Sequence, residues 1–212
     1  MTLPKLQIIT NLEQATEATG SLQRTVKSAL EAGARLIQLR EKSLPDQDLL
    51  DLANTLVPLA HEHDAKLLIN THADVARQAG ADGVHRPADG PSVDELRRHL
   101  DPRIDSQAIV GVSTHSLAEA RAAAEQGADY ITLSPIFESA SKPGYGPALG
   151  LDALARVCGA VDIPVYALAG VTPARVAACL EAGAYGVAVM GGVMRAKEVG
   201  VVVEEYLGIL GS

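Results

Sequence analysis

Glu31-Ala-Gly33-Ala, Gln78-Ala-Gly80-Ala, Glu125-Gln-Gly127-Ala and Glu181-Ala-Gly183-Ala are four copies of one phrase. An aliphatic stretch follows each within a few residues. The glycines stand 47, 47 and 56 residues apart. The phrase reads as a helix ending on Gly, the residue that enters the left-handed conformation at least cost. A short buried strand then begins. This spacing is too long for one strand–helix unit and suits two.

Filling in the intermediate units gives eight. The predicted strands are 5–10, 35–39, 66–70, 82–85, 108–113, 129–134, 164–168 and 185–190. The predicted helices are 21–32, 46–63, 73–79, 92–100, 116–126, 150–159, 173–182 and 196–208. Asp46 precedes Leu49-Leu50 as a helix cap, and Ser116 with Glu119 forms a capping box. Thr172-Pro173 reads as N-cap and first helical residue. Strict alternation implies a parallel sheet. Eight units average about 26 residues each, near the compact limit of an α/β (β/α)8 TIM barrel. One domain over residues 1–212 is expected. An open doubly wound sheet is the runner-up, weakened because no Gly-x-Gly-x-x-Gly follows the first strand.

Composition narrows the function. The chain has 212 residues, 18 Lys and Arg against 26 Asp and Glu, and a net charge of −8. No basic footprint for nucleic acid exists. One Phe and no Trp leave no stacking platform for single strands. Two cysteines, Cys158 and Cys179, make no disulfide framework. No leader peptide and no apolar run of membrane-spanning length is evident. A cytoplasmic enzyme is expected, with no nucleic acid or membrane partner; a homodimer is compatible with the sequence.

In this barrel the active site forms where strands run into helices. After strand 2, Gln38 and Arg40 share a face, and Lys42 continues it if the strand persists. Two cations and an amide suit an anionic substrate; the competing reading is an internal salt bridge with Glu41. After strand 3, Asn70 holds a substrate heteroatom or caps its loop, while His72 and Asp74 read as solvated helix-start residues. His85, after strand 4, reads equally as catalytic or as a satisfied core histidine. After strand 5, Ser113 and His115 share a face, and His115 is a natural proton carrier. The adjacent helix N-terminus favours its neutral form.

The longest loop runs from Ser134 to Gly150; Ser139, Ser141 and Lys142 fit a flap over phosphate-like oxygens. Gly170, after strand 7, and Gly191-Gly192, after strand 8, stand where such barrels bind phosphate through backbone N–H groups. Tight turns are the alternative explanation for these glycines. No His/Cys cluster has zinc spacing. His61 and His63 read as solvated.

Gln38-Leu-Arg-Glu-Lys42, Leu68-Ile-Asn70, Gly80-Ala-Asp-Gly-Val-His85, Gly111-Val-Ser-Thr-His-Ser116, Pro135-Ile-Phe137 and Ala169-Gly-Val-Thr172 together resemble the thiamine phosphate synthase/TenI family. The resemblance runs from Ile9-Thr10 to the last helix and implies the barrel independently. It also implies a place in thiamine biosynthesis and two candidate activities. A synthase joins a pyrimidine diphosphate to a thiazole phosphate and expels pyrophosphate. A TenI-type tautomerase moves a proton on a thiazole carboxylate phosphate. Both imply thiazole phosphate at Gly170 and Gly191-Gly192. Substrate contacts are implied for Gln38, Arg40, Lys42, Asn70, Ser139, Ser141 and Lys142. In the tautomerase His115 is the acid/base residue.

The synthase pattern carries two aspartates that hold Mg²⁺ on the diphosphate. Here those positions are Thr71 and Gly90, and Asp89 or Asp74 would have to substitute. The sequence reading is therefore a metal-independent thiazole tautomerase with no cofactor, with a Mg²⁺-dependent synthase as the alternative. A non-catalytic regulator that binds a phosphorylated ligand is the third reading.

Overall fold

The computed structural model describes residues 2–100, 108–138 and 147–211. Eight parallel strands close into a barrel in chain order: β1 (Leu6–Ile9), β2 (Leu36–Leu39), β3 (Lys66–Asn70), β4 (Gly83–Arg86), β5 (Ile109–Thr114), β6 (Tyr130–Leu133), β7 (Val165–Leu168) and β8 (Gly186–Val189). β8 closes on β1 with Val187 opposite Leu6 and Val189 opposite Ile8. The (β/α)8 expectation holds, and every predicted strand lies within about two residues of an observed one.

The helices are α1 (Leu12–Thr19), α2 (Leu22–Glu31), α3 (Asp46–His61), α4 (Ala73–Ala79), α5 (Val93–His99), α6 (Leu117–Glu125), α7 (Gly150–Cys158), α8 (Pro173–Glu181), α9 (Gly191–Met194) and α10 (Val199–Leu210). The main core lies between the strands and this outer ring, and Leu39, Leu67, Val84 and Val187 face it. A second cluster of Leu36, Leu68, Ile109, Tyr130 and Tyr166 fills the barrel interior. Alternation along each strand separates the two.

All four phrase glycines adopt positive φ: 102° at Gly33, 67° at Gly80, 80° at Gly127 and 92° at Gly183. The residue after the phrase has its own task. Asp82 accepts from the Leu67 N–H at 2.9 Å and from Lys66 at 2.7 Å. Asp129 does the same for Val110 N–H at 2.6 Å and Arg97 at 2.8 Å. Each carboxylate thus satisfies a backbone donor at the start of the preceding strand.

Two elements differ from expectation. α1 lacks an apolar stripe, with only Ala15 buried, so periodicity passes over it. Its signals were its ends: Asn11 Oδ1 accepts from Gln14 N–H, and Gly20 has φ 83°. α9 is one turn long and opens on two glycines. Asp46 is not a cap either. Pro45 holds that position without a side-chain bond, and Asp46 is the first helical residue. Ser116 caps α6 as expected, but Glu119 reaches past it to the His115 N–H at 2.7 Å.

Candidate active site

The C-terminal ends of the strands bring the predicted residues that are described to one rim. Gln38 is buried inside the barrel and donates to Asn70 Oδ1 at 2.9 Å. Asn70 in turn donates to Thr71 Oγ1 at 3.0 Å. Both amides belong to an internal chain, with Asn70 the more exposed of the two.

Arg40 lies one residue past β2, its N–H bonded to Thr10 Oγ1 at 2.9 Å. It is half-buried at the rim, and its charge adds to the lowering of the buried His85 pKa. β2 ends at Leu39, so Lys42 does not continue the strand; it stands exposed in the following turn. There it lines a cleft of about 370 Å³ with Asn11, Leu12, Glu13, Arg40, Glu41 and Ser43. The sequence reading missed the Asn11–Glu13 wall because it missed α1. Glu41 spends both oxygens elsewhere, on the Thr10 hydroxyl at 2.5 Å and the Leu12 N–H at 2.9 Å. Burial raises its pKa above the ordinary carboxylate value.

His85 is the satisfied core histidine. Nδ1 meets the Tyr130 hydroxyl at 2.8 Å and Nε2 meets Ser113 Oγ at 2.9 Å. Desolvation, helped by the charges of Arg40 and Arg86, pushes its pKa down to about 3. The unfolded chain takes up a proton here near pH 6.5, and the folded chain does not until about pH 3. His85 thus supports the fold fully above about pH 6.5, and that support drains as pH falls. Its slope approaches about 1.4 kcal/mol per pH unit. Raised Glu41 acts in the opposite sense, since protonation on acidification favours the folded form. Urea unfolding of His85→Gln between about pH 4 and 7 is expected to lose one proton's worth of slope; an unchanged slope contradicts a neutral buried His85.

His115 sits just before α6. Its Nδ1 lies 2.8 Å from the Ser134 carbonyl, which can only accept. The proton therefore sits on Nδ1, and Nε2 is the basic nitrogen of the neutral ring. Ser113 joins the site through His85.

After β7, Ala169 and Gly170 both take left-handed φ, 74° and 66°. A Cβ on Gly170 would stand 2.6 Å from Glu138 O. Arg175 holds the Gly170 carbonyl at 2.7 Å and covers the Phe137 ring at 4.6 Å. After β8, Gly191 and Gly192 carry the first N–H groups of α9, which have no intrahelical acceptor. A Cβ on Gly191 would meet the Arg195 guanidinium at 2.7 Å. Close approach to the Phe137–Glu138 backbone and a left-handed φ thus explain Gly170, whereas at Gly191 the obstacle is the movable end of a side chain. Ser139, Ser141 and Lys142 lie outside the described residues.

The carboxylates do not fit a resident Mg²⁺. Asp74 is exposed and lies 3.7 Å from Arg77. Asp89 is exposed, and its charge acts on Arg86. A Cβ on Gly90 would sit 3.2 Å from both Arg86 Cδ and Pro87 O, so the rebuilt turn crowds the second position. Among the described residues no three His, Cys, Asp or Glu gather into a metal site. Nor is any described helix long and apolar enough to cross a membrane.

A compact barrel with cations and amides at its C-terminal rim and glycine turns after β7 and β8 has the layout of the barrel enzymes, whose sites lie on that rim. The family model described as thiamine monophosphate synthase matches residues 6–193, and the chain belongs to that thiamine phosphate synthase/TenI family. The thiamine-phosphate synthase of Methanoculleus marisnigri is 43% identical over 78% of this chain and 77% of its own. That of Roseiflexus castenholzii is 38% identical over 90% and 81%. The thiamine phosphate pyrophosphorylase structure from Pyrococcus furiosus superposes with a TM-score of 0.83 at 31% identity, covering 98% and 95%.

Proposed function

We propose that this chain is a thiamine biosynthesis enzyme that joins a thiazole phosphate to a pyrimidine diphosphate with release of pyrophosphate. Kinship carries the reading: relatives named thiamine-phosphate synthase match most of its length at up to 43% identity. It shifts the balance away from the tautomerase expected from sequence. The retained rim supports it. Arg40 and Lys42 neutralise the diphosphate as it leaves; an arginine can grip such oxygens in bidentate fashion. Asn70 and Ser113 orient the pyrimidine. The turns at Gly170 and Gly191-Gly192 receive the thiazole phosphate. Among the described residues Mg²⁺ has no carboxylate pair placed to hold it. In this reading it enters as the counter-ion of the diphosphate.

One observation favours a second reading. Both aspartate positions are lost, while His115 offers a basic Nε2 whose tautomer is fixed by Ser134. That suits a metal-free proton shift on a thiazole carboxylate phosphate, with His115 as acid and base.

The test is pyrophosphate release from the two substrates, with Mg²⁺ and with EDTA. Release supports the synthase. No release with measurable binding of thiazole phosphate overturns it in favour of proton transfer. In that case His115→Ala is expected to cut isomerisation by about 10²–10⁴-fold with ligand affinity retained. Absent turnover in both assays, with binding intact, leaves the non-catalytic regulator.

A further inference from the structure

A branched hydrogen-bond chain runs through the barrel interior from the Gln7 side-chain amide. Gln7 is fully buried on β1. Its Nε2 donates to the Tyr130 hydroxyl at 2.7 Å and to Gln38 Oε1 at 3.2 Å. Having accepted there, the Tyr130 hydroxyl turns its own hydrogen to His85 Nδ1. The neutral imidazole then carries its proton on Nε2 and donates to Ser113 Oγ. On the other branch, Gln38 Nε2 donates to Asn70 Oδ1, and Asn70 Nδ2 donates to Thr71 Oγ1. Both branches end on a hydroxyl that accepts from within.

The opposite polarity is worse. It either leaves the buried Tyr130 hydroxyl accepting from both neighbours with its own hydrogen stranded, or turns the Gln7 amide over and places two N–H donors where Oε1 now lies buried with no partner among the described residues. Stranded N–H groups are rarer than an under-satisfied carbonyl. Thr71 adds a second observation. A β-branched residue at φ 69° is a backbone outlier. Such outliers persist where surroundings over-determine them, often at binding sites.

We propose that this relay fixes Ser113 and Thr71 as hydrogen-bond donors toward the barrel mouth, with Gln7, Tyr130 and His85 as the positioning residues for Ser113. The group bound there offers a lone pair and no proton: a phosphate oxygen or an unprotonated ring nitrogen. The identity of that ligand rests on the functional reading above; the polarity of the relay does not.

Nitrogen NMR of histidine-labelled wild-type protein reads the tautomer directly. His85 is expected as the neutral Nε2–H form, and the Nδ1–H form overturns the relay. The second arm measures Kd for thiazole phosphate and for pyrimidine diphosphate separately, in Tyr130→Phe, Ser113→Ala and the double variant. Each single change is expected to weaken one of the two ligands by about fivefold to tenfold. The ligand that responds is the one whose acceptor meets Ser113. The double variant is expected to lose no more than the worse single variant, because both remove one donor. Additive losses, or wild-type-like affinity in Tyr130→Phe, overturn the positioning role. Wild-type protein that binds neither ligand sinks the functional reading instead, and the tautomer still judges the relay.

Discussion

Arg40→Gln is expected to lower kcat/KM for pyrophosphate release by about 10²–10³-fold. Charge develops on the diphosphate as its bond to the pyrimidine breaks. A guanidinium meets two oxygens at once, whereas a neutral amide offers one weaker bond. Arg40 is well placed for this because its backbone is pinned: its N–H bonds Thr10, whose hydroxyl bonds Glu41. The side chain is half-buried at the rim rather than in the core, so the melting temperature should change little. Arg40→Lys should recover part of the rate, as a point charge without the fork. Steady-state kinetics on both variants provide the check. A loss below fivefold in Arg40→Gln, with release otherwise robust, would remove Arg40 from the diphosphate site.

Gly83→Ala carries the largest expected loss of stability. Gly83 pairs with Leu68 on one side and Ile109 on the other. With φ 155°, its absent Cβ points at Ile109, 2.0 Å from the carbonyl oxygen and 2.7 Å from the nitrogen. That obstacle is backbone inside a closed ring, so it cannot swing aside as a side chain could. About 3 kcal/mol or more of destabilisation is expected, at the upper end for overpacking. For a fold stable by about 5–15 kcal/mol this is a large share. Gly80→Ala is the control: nothing lies within 4 Å of its Cβ position, and only φ 67° opposes it. That change should cost about 1–2 kcal/mol. Urea midpoints compare the two, and equal losses would mean that the strand yields easily.

The barrel was legible because helix-ending glycines and buried strands repeat at a spacing that two units fill. α1 was not, because its sequence, Leu12-Glu-Gln-Ala-Thr-Glu-Ala-Thr19, carries almost no apolar face. Rim residues could be read by counting from strand ends, which located Gln38, Arg40, Ser113 and His115. Lys42 slipped because a strand's last residue is set by pairing, not by its own sequence. Gln7 and Tyr130 went unseen for a related reason. Each sits in an apolar strand and looks unremarkable alone; only register brings the Tyr130 ring into the space left by Gly111, whose Cβ would stand 2.2 Å from it. The choice between coupling and proton transfer was not legible from the aspartate positions alone, and kinship moved it.

Glu41 has a mechanical consequence. One oxygen holds Thr10 at the end of β1 and the other holds the first N–H of α1, while Glu41 itself belongs to the segment that carries Arg40 and Lys42. The two walls of the cleft are thereby riveted together. A ligand that draws Arg40 and Lys42 inward therefore pulls on the start of α1 through the same carboxylate, so movement of one wall is passed to the other.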